Sequence, residues 1–174
     1  MSAGHGEGRR RLLLMRHAKA EPYGPTDRDR PLTRTGRRDA AVVGRWLAEQ
    51  GLVVDHALVS AAARSIETCE EVRATARFTV DPDVRADLYA AEAEQILTAI
   101  SEVPAAVRSL LYVGHNPGVE SLAAALAGAG DRKAMRTLLT GFPTSGVAVY
   151  DVPVPWRELR EGAARLVDFY VGRG

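Results

Sequence analysis

A single cysteine, Cys69, leaves this chain of 174 residues without a partner for an internal disulfide, which suits a reducing compartment such as the cytoplasm. Beside Thr68 in the middle of a helical stretch, that cysteine reads as a small core residue. No apolar run approaches the roughly 18 to 20 residues that a membrane span needs. Excess charge is lacking as well. Lys and Arg number 23 against 22 Asp and Glu, a net charge of +1, so no bulk field recommends nucleic acid or a membrane surface as partner, and any anion binding must be local. The first ten residues have no apolar core of a secretory signal and read as a flexible, Gly-rich lead-in in which His5 is incidental. No repeat, linker or low-complexity tract divides the remainder, and 46% hydrophobic residues suffice for one domain over 11–174.

What is present is a series of short apolar runs that end in polar turns. Leu12 to Met15 reads as a buried strand that breaks into Arg16 and His17. A polar loop over 18–31 follows, holding Asp27 and Arg30, and is long enough to build or cover a site. Thr33 caps a helix whose apolar face is Val42, Val43, Trp46 and Leu47 and whose stop is Gly51. A strand over 55–60 leads to a helix over 62–74 carrying Arg64. A short strand over 78–80, a turn at Asp81-Pro82-Asp83 and a helix over 92–101 come next. The clearest buried strand, 109–114, opens into His115-Asn116-Pro117-Gly118, with Asn116 as cap and Pro117 as the first residue of a helix over 119–127. The loop 141–146 precedes a strand over 147–152, and a last strand over 166–171 is expected at an edge. This alternation predicts an α/β fold in three layers, αβα, around a mostly parallel sheet with an antiparallel edge strand.

Such a sheet brings Arg16, His17, Arg64 and His115 to the carboxyl ends of its strands, where open α/β folds bind ligands. Two arginines and two histidines there suit a multiply charged oxyanion, most simply a phosphoryl group. A neutral imidazole can also attack phosphorus directly.

Arg16-His17-Ala18 after an apolar strand resembles the Arg-His-Gly signature of the histidine phosphatase superfamily, whose fold is phosphoglycerate-mutase-like. Arg30-Pro31-Leu32-Thr33-x-x-Gly36, Leu58-Val59-Ser60-x-x-x-Arg64, Leu88-Tyr89 and Val113-Gly114-His115-Asn116-Pro117-Gly118 continue the agreement, and the brevity of the chain is similar to the small phosphohistidine phosphatases of the SixA type. The resemblance implies that His17 is a nucleophile passing through a phosphohistidine intermediate, that Arg16, Arg64 and His115 clamp the phosphoryl oxygens, and that neither metal nor cofactor is needed. The short chain leaves little room for a lid, and the open site this implies suits a phosphorylated protein side chain, such as phosphohistidine, or a small phosphoester; the protein itself is expected to be a monomer or weak dimer. Arg30 and Asn116 are further candidates for phosphate binding, whereas Lys19 and Glu21 read as loop charges. The sequence departs from the wider pattern at Ala18, in place of glycine, and at Leu88-Tyr89-Ala90, where larger members carry an acidic proton donor. Either Asp27 supplies that proton, or the substrate is a phosphoramidate whose leaving group takes one from solvent. A mutase-like phosphotransferase and a non-catalytic phosphate-binding module are the rival readings.

Overall fold

Leu12, Leu13, Leu14 and Met15 are all fully buried in β1 (Arg10–Arg16), and they bury in two directions. Side chains alternate across a strand. Leu12 and Leu14 therefore enter one apolar core, Leu13 and Met15 the other, and each core requires its own layer of helices. The computed structural model describes residues 9–174; the lead-in expected over residues 1–10, His5 included, falls for its first eight residues outside them. The boundary of that lead-in is corrected at Arg10, which is buried and already part of β1 because it pairs with Val152.

After β1 come α1 (Arg34–Glu49), β2 (Val53–Val54), β3 (His56–Ser60), α2 (Ala63–Thr75), β4 (Arg77–Phe78), β5 (Asp83–Arg85), α3 (Ala93–Ser101), β6 (Ser109–Gly114), α4 (Gly118–Leu126), β7 (Ala127–Gly130), α5 (Arg132–Leu139), β8 (Gly146–Val152) and β9 (Ala164–Val171). Seven strands form one sheet in the order β5-β3-β6-β1-β8-β9-β7, while β2 and β4 make a separate pair. Strands β5, β3, β6 and β1 run parallel; β8 opposes both β1 and β9. Residues of α1 and α2 pack in the core on one face, those of α3, α4 and α5 in the core on the other, giving the expected three layers. Among the described residues no helix is long and apolar enough to cross a membrane.

Thr33 caps α1 as expected, its hydroxyl accepting from the Gly36 amide at 2.9 Å, and Gly51 adopts the left-handed φ of 68° that ends the helix. Asn116 does not cap α4. Pro117 holds the N-cap position with no side-chain bond, and the Asn116 amide is drawn elsewhere. Strand β9 is not at the edge either, because β7 pairs along its outer side. The turn expected at 81–83 gives way at Asp83 to β5, which pairs with β3, and β7 and α5 fill a stretch for which no element was expected.

Helices α1 and α2 meet at Gly44, where a Cβ would overlap the carbonyl oxygen of Val72 and the hydroxyl of Thr75. Gly44→Ala is therefore expected to destabilise the protein by about 1–3 kcal/mol, despite the better helix propensity of alanine. A urea midpoint equal to or above that of the wild type would contradict this packing argument.

Candidate functional site

The strands β3, β6 and β1 are adjacent and parallel, so their carboxyl ends open on one edge. Arg16 ends β1, His115 follows β6, and Ser60 ends β3, four residues before Arg64 in the first turn of α2. The His17 amide donates to Gly114 O at 2.9 Å, extending the β1–β6 ladder by one residue, and the Ser145 amide donates to His17 O at 3.2 Å. His17 is thus held by the end of β6 on one side and by the loop before β8 on the other. The loop over 18–31 is tied down too: Ala20 pairs with Leu32, and the Ala63 amide at the start of α2 donates to Arg28 O. Arg16, His17, Arg30, Arg64, His115 and Asn116 all line one open cavity of about 350 Å³ with Thr144 and Lys19.

His17 is buried, and its Nδ1 lies 2.7 Å from Ala18 O. A carbonyl can only accept, so Nδ1 carries the proton and Nε2 keeps its lone pair. Burial, followed by the charges of His115, Arg64 and Arg16, lowers the His17 pKa to about 3, against the bond to Ala18 O. The ring is therefore neutral across the physiological range, with a free nucleophilic nitrogen.

His115 stands beside it, with ring centroids 5.4 Å apart. Its Nε2 lies 2.6 Å from Ser60 Oγ, which accepts from the Ala62 amide at 3.4 Å. The other ring nitrogen, Nδ1, is buried and has no partner. Arg16 donates from Nη1 to Phe142 O at 3.0 Å and Arg64 from Nη1 to Asp27 O at 2.7 Å, while the buried Nε of each is likewise unpartnered. Each orphaned buried polar atom costs roughly 1–3 kcal/mol, and all three belong to side chains that line the one cavity. Asn116 donates from Nδ2 to the same Phe142 O at 2.9 Å, so one carbonyl of the 141–146 loop fixes two residues of the site. In that loop Ser145 holds a left-handed φ of 59°, strain of roughly 1–2 kcal/mol for a residue with a Cβ.

Asp27 reaches the site. Its Oδ2 accepts from the Tyr89 hydroxyl at 2.5 Å and from Arg64 Nη2 at 3.3 Å, and its Oδ1 accepts from Arg30 Nε at 3.0 Å. The Tyr89 hydrogen bond, then Arg64 and Arg30, bring its pKa down to about 2, so it is ionised at neutral pH although 57% of its side chain is exposed. Arg30 faces the cavity while holding Asp27 and Glu21 O. Three contributors escape a reading of the sequence: Ser60, the Phe142 carbonyl and Tyr89. Ser60 and Tyr89 do fall inside the motifs quoted above, which was the available signal; a backbone carbonyl leaves none.

The two histidines give the fold an acid sensitivity. Burial first, then Arg64, lowers the His115 pKa to about 4. Below pH 6.5 the unfolded chain binds protons that the folded one refuses, so stability falls as pH drops toward these two values, by about 1.4 kcal/mol per pH unit per histidine. Asp27 titrates below that window. Denaturant unfolding at pH 7 and pH 5 is expected to show a loss of about 4 kcal/mol in the wild type, roughly halved in His115→Ala; equal stability at the two pH values would contradict the burial of neutral rings.

Residues 12–140 match the family model described as histidine phosphatase superfamily, branch 1. The chain is 38% identical over 164 residues to an uncharacterised protein of Mycobacterium tuberculosis strain H37Rv, covering 91% of this chain and all of that one. It is 28% identical over 117 residues to the phosphohistidine phosphatase SixA of Escherichia coli K12, covering 66% of this chain and 73% of SixA. Its fold matches that of a Nakamurella multipartitia protein assigned as a phosphohistidine phosphatase SixA, with a TM-score of 0.81 and 30% identity over 95% of this chain and 97% of that one.

Proposed function

The chain belongs to the histidine phosphatase superfamily, branch 1, and on that premise we propose that it hydrolyses phosphohistidine, or a small phosphomonoester, through a phosphohistidine intermediate on His17. The observation that carries this reading is the hydrogen bond from His17 Nδ1 to Ala18 O, which leaves Nε2 with a free lone pair on a ring that shares one cavity with Arg16, Arg64 and His115. In the first step Nε2 attacks phosphorus, a nitrogen–phosphorus bond forms, and the bond to the leaving group breaks with its electron pair. Arg16, Arg64 and His115 face the charge that spreads over the phosphoryl oxygens. Water then attacks the phosphohistidine, releasing inorganic phosphate and restoring the neutral ring.

The proton on the leaving group favours a phosphoramidate. Asp27, with its pKa near 2, enters the reaction with no proton to give. An alkoxide would need one, whereas an imidazole leaving group can be protonated from solvent. An open cavity on a short chain also fits a phosphorylated side chain presented by another protein.

The test is phosphate release from a phosphohistidine peptide, para-nitrophenyl phosphate and an alkyl phosphate, with acid-labile, base-stable phosphate sought on the protein. Release from the first two and little from the third is expected. No release from any of them would overturn the reading, and transfer to a second acceptor without net release would replace it with a phosphotransferase.

A further inference from the structure

Tyr89 occupies the place where larger members of the family carry an acid, yet it cannot substitute for one by ionising: its hydroxyl pKa is raised, chiefly by the bond to Asp27. Its contacts give it a different task. Leu88, almost fully buried, anchors the chain before it, and Ala90 after it takes a left-handed φ of 54°, a conformation that costs a residue with a Cβ. The left-handed turn thus falls just after Tyr89, whose side chain meets Asp27 and His115. The ring stands edge-on to His115, with centroids 5.9 Å apart and planes at 87°, and Arg28 lies 6.0 Å over it. The hydroxyl donates to Asp27 Oδ2, the same oxygen that Arg64 Nη2 approaches at 3.3 Å.

Building on the phosphatase reading, we infer that Tyr89 is a positioning residue that aligns the phosphoryl clamp from two sides, seating the His115 ring by its edge and holding Asp27 against Arg64 through its hydroxyl. Arg64 is buried and has few rotamers open to it, but Asp27 is more than half exposed and sits on a loop. A carboxylate so placed exchanges readily to water unless something fixes it. Arg30 holds one oxygen, and the other is shared by Tyr89 and Arg64. Remove the hydroxyl and Asp27 can rotate about its bond to Arg30; Arg64 then loses one of its two anchors, the one from Nη2, and its guanidinium is no longer set in one plane before phosphate arrives.

Tyr89→Phe removes the hydroxyl and keeps the ring edge on His115, so the fold should hold and the melting midpoint stay at the wild-type value. With para-nitrophenyl phosphate, kcat is expected to fall about tenfold, the order of one hydrogen bond to a charged group, with KM changed much less. The discriminating measurement is a double-mutant cycle with Asp27→Asn. If Tyr89 works through Asp27, the double variant is no slower than Asp27→Asn alone within about twofold. Losses that multiply would overturn the positioning role, as would Tyr89→Phe at wild-type kcat, or a lowered melting midpoint accompanied by multiplying losses. The affinity for inorganic phosphate, measured by calorimetry on the same four proteins, reads the clamp without any turnover. It should fall severalfold in Tyr89→Phe and no further in the double variant; an unchanged affinity overturns the inference. A wild type that binds phosphate but hydrolyses nothing would defeat the phosphatase reading while leaving this one to be decided by the affinities.

Discussion

His17→Ala is expected to lower kcat on phosphohistidine by at least about 10⁴-fold, the scale on which removing a covalent nucleophile acts. The ring is buried, protonated only on Nδ1, and neutral down to a pKa of about 3, so every molecule at pH 7 carries the reactive Nε2. No neighbour can replace it. His115 is the nearest imidazole, but its Nε2 is engaged with Ser60, and the arginines are electrophilic clamps. The same variant should nevertheless keep its affinity for inorganic phosphate within severalfold, because Arg16, Arg64 and His115 are untouched and the ring removed is neutral. Initial rates together with phosphate calorimetry make the check. Activity within tenfold of the wild type would remove His17 from the covalent role, and loss of phosphate binding along with activity would point instead to collapse of the site.

The chemical centre of this molecule was more legible than its periphery. Strand β6 coincides with the apolar run Ser109–Gly114 because both of its faces are buried and its ends are set by abrupt polar turns. Helix α1 is bounded by Thr33 and Gly51, whose local preferences agree with the tertiary structure. The four residues at the strand mouths follow from that register. Strand β7, by contrast, is Ala-Gly-Ala-Gly, with no branched or aromatic side chain to announce it, and it exists because β9 offers an open edge. Strand β5 is three residues long, largely exposed, and defined by its pairing with β3. Asn116 had the right residue type for a cap, but Phe142 O, 26 residues away, competes for its amide. Tyr89 and Asp27 are 62 residues apart, and Ser60 and His115 are 55 apart; nothing in local propensity joins either pair. What the residues could not announce is long-range partnership, above all where one partner is a backbone carbonyl.

Arg64→Ala should cost about 10²–10³ in kcat, the usual penalty for losing one preorganised donor to a developing oxyanion. The side chain is 7% exposed and delivers a planar fork, two of whose nitrogens are committed to Asp27 while Nε has no protein partner. Arg64→Lys is expected to recover less than a tenth of the lost rate, since an ammonium cannot bond Asp27 twice and still present a donor in the same plane. The fold should tolerate either change, because Asp27 is half exposed and keeps Arg30 and Tyr89. A second consequence separates catalysis from structure. Arg64 is among the charges that hold the pKa of both histidines down, second only to burial for His115. Without it both rings protonate at higher pH than in the wild type, so the acid limb of kcat/KM should move upward. Protonating His17 removes the attacking lone pair, so the variant loses activity at a pH where the wild type still works. A variant with reduced kcat and an unmoved acid limb would mean that Arg64 stands too far from the imidazoles to govern them, and the compact arrangement of His17, His115 and Arg64 would have to be redrawn.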